Sequence, residues 1–122
     1  MGKLGFGEIL KDLRIRRGLT LREFCLKHGF DPGNMSKVER GMLPPPPHDK
    51  LEQIAKILEL KPSSPDWDLF FDTAAIERGT IPKDILSDKE LLKKVPVFLR
   101  TLKNKKLAPE KLDELIEKLR RA

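Results

Sequence analysis

Asn34 and Lys37 stand three residues apart in the stretch DPGNMSKVER, on the opposite side of a predicted helix from the apolar pair Met35 and Val38. An amide and an ammonium on one helix face can hydrogen-bond another molecule, but they supply no nucleophile and no metal site. The residues that would supply these are poorly placed. His28 falls on the inner face of its predicted helix and His48 follows a run of prolines, and neither has a cysteine or acid at ligand spacing. Cys25 lies on an apolar helix face, where a packed thiol is expected rather than a nucleophile. With no phosphate loop and no glycine fingerprint, the chemistry to expect is binding, without a cofactor and without catalysis.

The elements that would position this face lie immediately around it. Thr20 and Glu23 form a capping box that starts a helix near Leu21. Leu21, Phe24, Cys25 and His28 give it one inward face, while Arg22, Glu23 and Lys27 stay in water. Gly29 can adopt the left-handed conformation that ends a helix, and Asp31 with Pro32 starts the next one at once. The second helix is predicted from Pro32 to about Arg40 and is closed by Gly41. Two short helices joined this tightly form a helix-turn-helix, the arrangement that presents its second helix to a DNA major groove.

The remaining chain reads as helical support. A first helix is predicted over 6–17, with Phe6, Ile9, Leu10 and Leu13 inward and Arg14, Arg16 and Arg17 complementing its dipole. Pro44 to Pro47 make a stiff extended connector, and a proline-motif ligand is the lesser reading of them. A fourth helix over 49–58 carries Leu51, Ile54, Ala55 and Leu58. A fifth over 65–78 carries the stripe Trp67, Phe70, Phe71 and Ala74, which reads as core. Residues 80–86 read as a connector. Ser87 and Glu90 then open a sixth helix that Pro96 should kink or split, residues 103–106 form a loop, and a last helix runs over 109–121. The fold class is all-α: about five core helices and a C-terminal extension of two, divided as 1–61, a packing helix in 62–79, and 80–122.

Composition sets outer limits. With 122 residues the chain makes one domain or a domain with an extension. Its single cysteine rules out an internal disulfide and fits a reducing cytoplasm. There is no apolar run of membrane-spanning length, the N-terminus does not read as a signal peptide, and Phe6 stands where N-myristoylation needs Ser or Thr. The net charge of +6 suits a polyanionic partner. It divides evenly, with 11 Lys/Arg against 8 Asp/Glu in residues 1–60 and 14 against 11 in residues 61–122. Any positive surface must therefore come from folding.

The first sixty residues resemble the Xre/Cro/C1-type helix-turn-helix regulators. The likeness is carried by the first helix, the Leu19-Thr20 entry, Gly29, the pair Met35 and Val38, and the closing Glu39-Arg40-Gly41. It implies a lambda-repressor-like core and a structural ion pair between Arg14 and Glu39. It also implies that Asp31, Pro32, Gly33, Asn34 and Lys37 lie at the groove, with Arg22, Ser36 and Arg40 suited to phosphate. The reading face departs from its relatives. Pro32 and Gly33 replace longer polar side chains, Leu21 replaces a phosphate-holding glutamine, and Asn34 and Lys37 remain as base readers.

What the resemblance implies is a dimeric, sequence-specific regulator of double-stranded DNA, binding an inverted-repeat operator and repressing its own operon. The alternative is an antitoxin-like protein whose C-terminal helices hold a protein partner. Residues 80–122 loosely resemble the tails of regulators encoded beside a toxin or a zinc metallopeptidase.

Overall fold

The computed structural model describes residues 5–122, so the readings of the extreme N-terminus as neither leader nor acylation signal lie outside the described residues. Eight helices and no strand are found among the described residues, which makes the fold all-α. They are α1 (Phe6–Arg16), α2 (Leu21–His28), α3 (Pro32–Glu39), α4 (His48–Ile57), α5 (Pro65–Glu77), α6 (Lys83–Leu86), α7 (Lys89–Lys105) and α8 (Pro109–Arg121).

The chain forms two units, Met1–Pro82 and Lys83–Ala122. The first holds the core. Phe6, Leu10, Phe24, Cys25, Ile54, Ala55, Phe70 and Ala74 are at most 1% exposed, which shows that α1, α2, α4 and α5 all contribute their apolar stripes. The α5 stripe is indeed core: Phe70 meets Phe6 at 5.1 Å between ring centroids, and Trp67 and Phe71 pack at its edge. The backbone N–H of Phe6 donates to Glu77 Oε2, so α5 also caps the start of α1.

Gly7 marks a close contact between two helices. A β-carbon there would stand 2.4 Å from the carbonyl oxygen of Val38 and 2.5 Å from that of Glu39. Only glycine lets α1 approach the end of α3 this closely.

The second unit is built differently. It has no buried residue, although α7 and α8 are both amphipathic. Leu91, Val97, Phe98, Leu99, Ile116 and Leu119 are all close to half exposed or more.

Four local expectations are corrected in and around this unit. The predicted connector over 80–86 contains α6, so the extension has three helices and not two. The N-cap of α7 is Asp88, which accepts from Leu91 N–H at 3.0 Å; Ser87 is occupied by its own donation to the Asp84 carbonyl. Of the kink or split expected at Pro96, the split does not occur: α7 runs unbroken from Lys89 to Lys105, because a single proline removes one ladder bond. The expected loop at 103–106 is the last turn of α7, closed by Lys106 at φ 49°.

Candidate nucleic-acid interface

The candidate interface is built on α2, the turn, and α3. Thr20 Oγ1 accepts from Glu23 N–H at 3.1 Å, and the Glu23 carboxylate accepts from Thr20 N–H at 3.2 Å. These bonds hold the Glu23 carboxyl below its ordinary range, so the contribution of the cap persists above that range and is lost as pH falls through the lowered value. Gly29, at φ 76°, reverses the chain, and Phe30 N–H returns to the Cys25 carbonyl at 2.9 Å. Phe30 then stacks on Phe24, with ring centroids 5.6 Å apart. Asp31 Oδ2 accepts from Asn34 N–H at 3.0 Å and starts α3.

One side of α3 is locked into the protein. Met35, Val38 and Glu39 are buried. Arg14 Nε donates to Glu39 Oε2 at 2.7 Å and Arg14 Nη2 to Glu39 Oε1 at 3.0 Å, while Nη1 donates to the Leu19 carbonyl at 2.7 Å. One guanidinium therefore ties α1, the entry to α2 and the end of α3. The hydrogen bond to Glu39 raises the Arg14 pKa further above its ordinary value, which keeps the pair charged. At the end of α3 the Lys37 carbonyl accepts from Met42 N–H at 2.7 Å, fixing its length.

The opposite side faces solvent. Gly33, Asn34, Lys37 and Arg40 are exposed, and Pro32 and Ser36 are half-buried. At 100° per residue, Gly33, Ser36, Lys37 and Arg40 share the centre of this face and Asn34 flanks it. The centre thus carries two cations and one position without a side chain. A β-carbon at Gly33 would meet only Asp31 Oδ2, at 3.5 Å, so the gap in the face is not imposed by packing. Arg40 leans back along the helix, its Nε 3.4 Å from the Ser36 carbonyl. On the neighbouring elements Arg22 and Asp31 are exposed as well.

Sequence reasoning missed Gly7. It sits mid-pattern in α1, and the only available signal was a glycine placed where a helix-forming residue would serve better. Charge was also misjudged, because the even split at residue 60 hides the real division. The first unit has 13 Lys/Arg against 12 Asp/Glu, and the second 12 against 7. Most of the net positive charge lies outside the helix-turn-helix unit.

Cys25 is fully buried beside this framework, and burial pushes its thiol pKa up. Among the described residues no group of acids, histidines and cysteine is arranged to hold a metal ion, and no helix is long and apolar enough to cross a membrane.

Comparison with known proteins agrees with this geometry. No curated protein and no solved structure matches the chain. Residues 6–64, which span α1 to α4 and the loop beyond, match a family model described as a helix-turn-helix domain, and this supports reading the chain as a DNA-binding regulator.

Proposed function

We propose that the chain is a sequence-specific double-stranded DNA-binding regulator that represses its own operon as a homodimer on an inverted-repeat site. The exposed face of α3, held rigid by the Arg14–Glu39 clamp, carries the reading. Lys37 is its central base reader and Asn34 its flanking one, suited to guanine and adenine edges respectively. Arg22, Ser36 and Arg40 take phosphates, as does the backbone around Asp31, Pro32 and Gly33 at the start of α3.

A near-neutral unit with two base readers binds a single half-site weakly, and two-fold pairing offsets this by doubling the contacts. The second unit is the proposed pairing surface, since an extension with no buried residue gains its stability only by covering the stripes of α7 and α8. The same observation supports the second reading, in which those stripes hold a toxin or a metallopeptidase.

Selection from random duplex DNA at moderate salt tests the main reading. An enriched inverted repeat is expected, and its absence refutes sequence-specific dimeric binding. Truncation after Pro82 separates the two readings. Loss of dimer and of operator affinity together assigns the extension to pairing. Retained dimer and DNA binding with loss of a co-purifying protein assigns it to the partner.

A further inference from the structure

Within the first unit, the turn before α3, the proline connector, the start of α4 and the end of α5 enclose a cleft of about 600 Å³. That volume lies in the range of small-molecule sites. Its lining is mainly apolar: Phe30, Met35, Val38 and Leu43 line it together with the run Pro44–Pro47, of which Pro45 is fully buried. Prolines hold this wall without rearrangement, so the cleft is preformed.

Two cations open onto it. Lys50 Nζ lies 5.9 Å from the centroid of the Phe30 ring, and Arg78 is fixed by donation from Nη2 to the Pro45 carbonyl. Neither has a carboxylate partner among the described residues, and the other N–H groups of Arg78 remain to be used. The cleft contains one carboxylate, Asp31, already engaged in capping α3 through Asn34 N–H.

We propose that this cleft binds a small aromatic carboxylate, with its ring against Phe30 and the proline wall and its anion paired with Lys50 and Arg78. An aromatic ring suits walls made of a phenyl face and pyrrolidine rings, and a single negative charge balances the excess of two cations over one acid. A neutral ring leaves both cations unpaired, and an anion without a ring leaves the walls wet.

The test uses the full chain without DNA, so its outcome is independent of the DNA-binding proposal. 2-Naphthoate is titrated into ¹⁵N-labelled protein, with 2-naphthylmethanol and acetate as controls. Saturating amide shifts are expected around Phe30, Lys50 and Arg78, with both controls at least tenfold weaker. Lys50 is exposed, so Lys50→Gln is expected to keep the parent's spectrum and to bind naphthoate at least fivefold more weakly. The proposal is overturned by non-saturating shifts up to millimolar naphthoate, by shifts centred on the basic helix α7, by equal binding of 2-naphthylmethanol, or by parent-like affinity in Lys50→Gln.

Discussion

Replacing Gly7 by alanine adds one methyl group at the contact between α1 and α3, where the β-carbon would stand 2.4 Å from Val38 O, 2.5 Å from Glu39 O and 2.8 Å from Glu39 C. All three atoms are backbone, so no side chain can rotate away. Restoring ordinary contact from 2.4 Å takes a retreat of about 1 Å by one helix, a strain of the overpacking kind that costs about 1–3 kcal/mol. The retreat also disturbs the Arg14–Glu39 bonds, since both partners sit on the two helices being separated. Against this stands the gain of alanine over glycine in a helix, about 1 kcal/mol at most.

Strain is therefore expected to win, with a net loss of about 1–2 kcal/mol. For a unit of this size that lowers the melting temperature by about 5–15 °C. Gly33→Ala is the matched control. It too sits in the first turn of a helix, but its added methyl meets only Asp31 Oδ2 at 3.5 Å, so it should leave the melting temperature unchanged or raise it slightly. Thermal unfolding followed by circular dichroism compares the two. A Gly7→Ala protein that melts at or above the parent refutes the close approach of α1 to α3, and with it the claim that this contact holds the reading helix.

Three further perturbations probe the same frame. Glu39→Ala leaves Arg14 buried without its carboxylate and should cost about 3–5 kcal/mol in chemical denaturation, without changing the base preference of whatever protein still folds. A normal denaturation midpoint would remove the clamp from the account. Lys37→Ala should lower operator affinity by an amount that depends on the base pair it faces. Arg40→Ala should weaken all DNA alike and flatten the salt dependence by about one unit, both read from binding isotherms at several salt concentrations. If both variants bind like the parent, the assigned face is wrong. Cys25 should resist iodoacetamide in the native protein near pH 8 and react fully on unfolding. Because burial raises its pKa, its share of stability is complete below the unfolded value and is lost as pH rises through the folded one, so Cys25→Ala should flatten the alkaline fall in stability above about pH 9.

Legibility in the sequence followed the range of the interactions. The capping residues Thr20 and Asp31 and the closing glycines Gly29 and Gly41 act within four or five residues, and α2 and α3 begin and end within a residue or so of where these signals put them. At the start of α7 two adjacent polar residues competed for one role. Ser87 and Asp88 both suit an N-cap, and only the closing bond of α6 decides that Asp88 takes it. The crowding at Gly7 and the cleft behind Phe30 depend on residues more than thirty positions apart in part of their lining, so no local pattern announces them.

The division of charge changes what α3 has to do. A helix-turn-helix unit with an excess of one basic residue gains little from long-range attraction, so on the proposed function its affinity would depend on where Lys37, Arg40 and Arg22 stand rather than on its overall field. The extension, with an excess of five, brings charge without a groove-reading helix pair. Rigid placement then matters more than charge. The two bonds from Arg14 to Glu39 and the methyl-free contact at Gly7 both act on the last turn of α3, next to Lys37 and Arg40. A protein that reads with few side chains gains most from fixing those few, because each degree of freedom left to the helix is paid for again at binding.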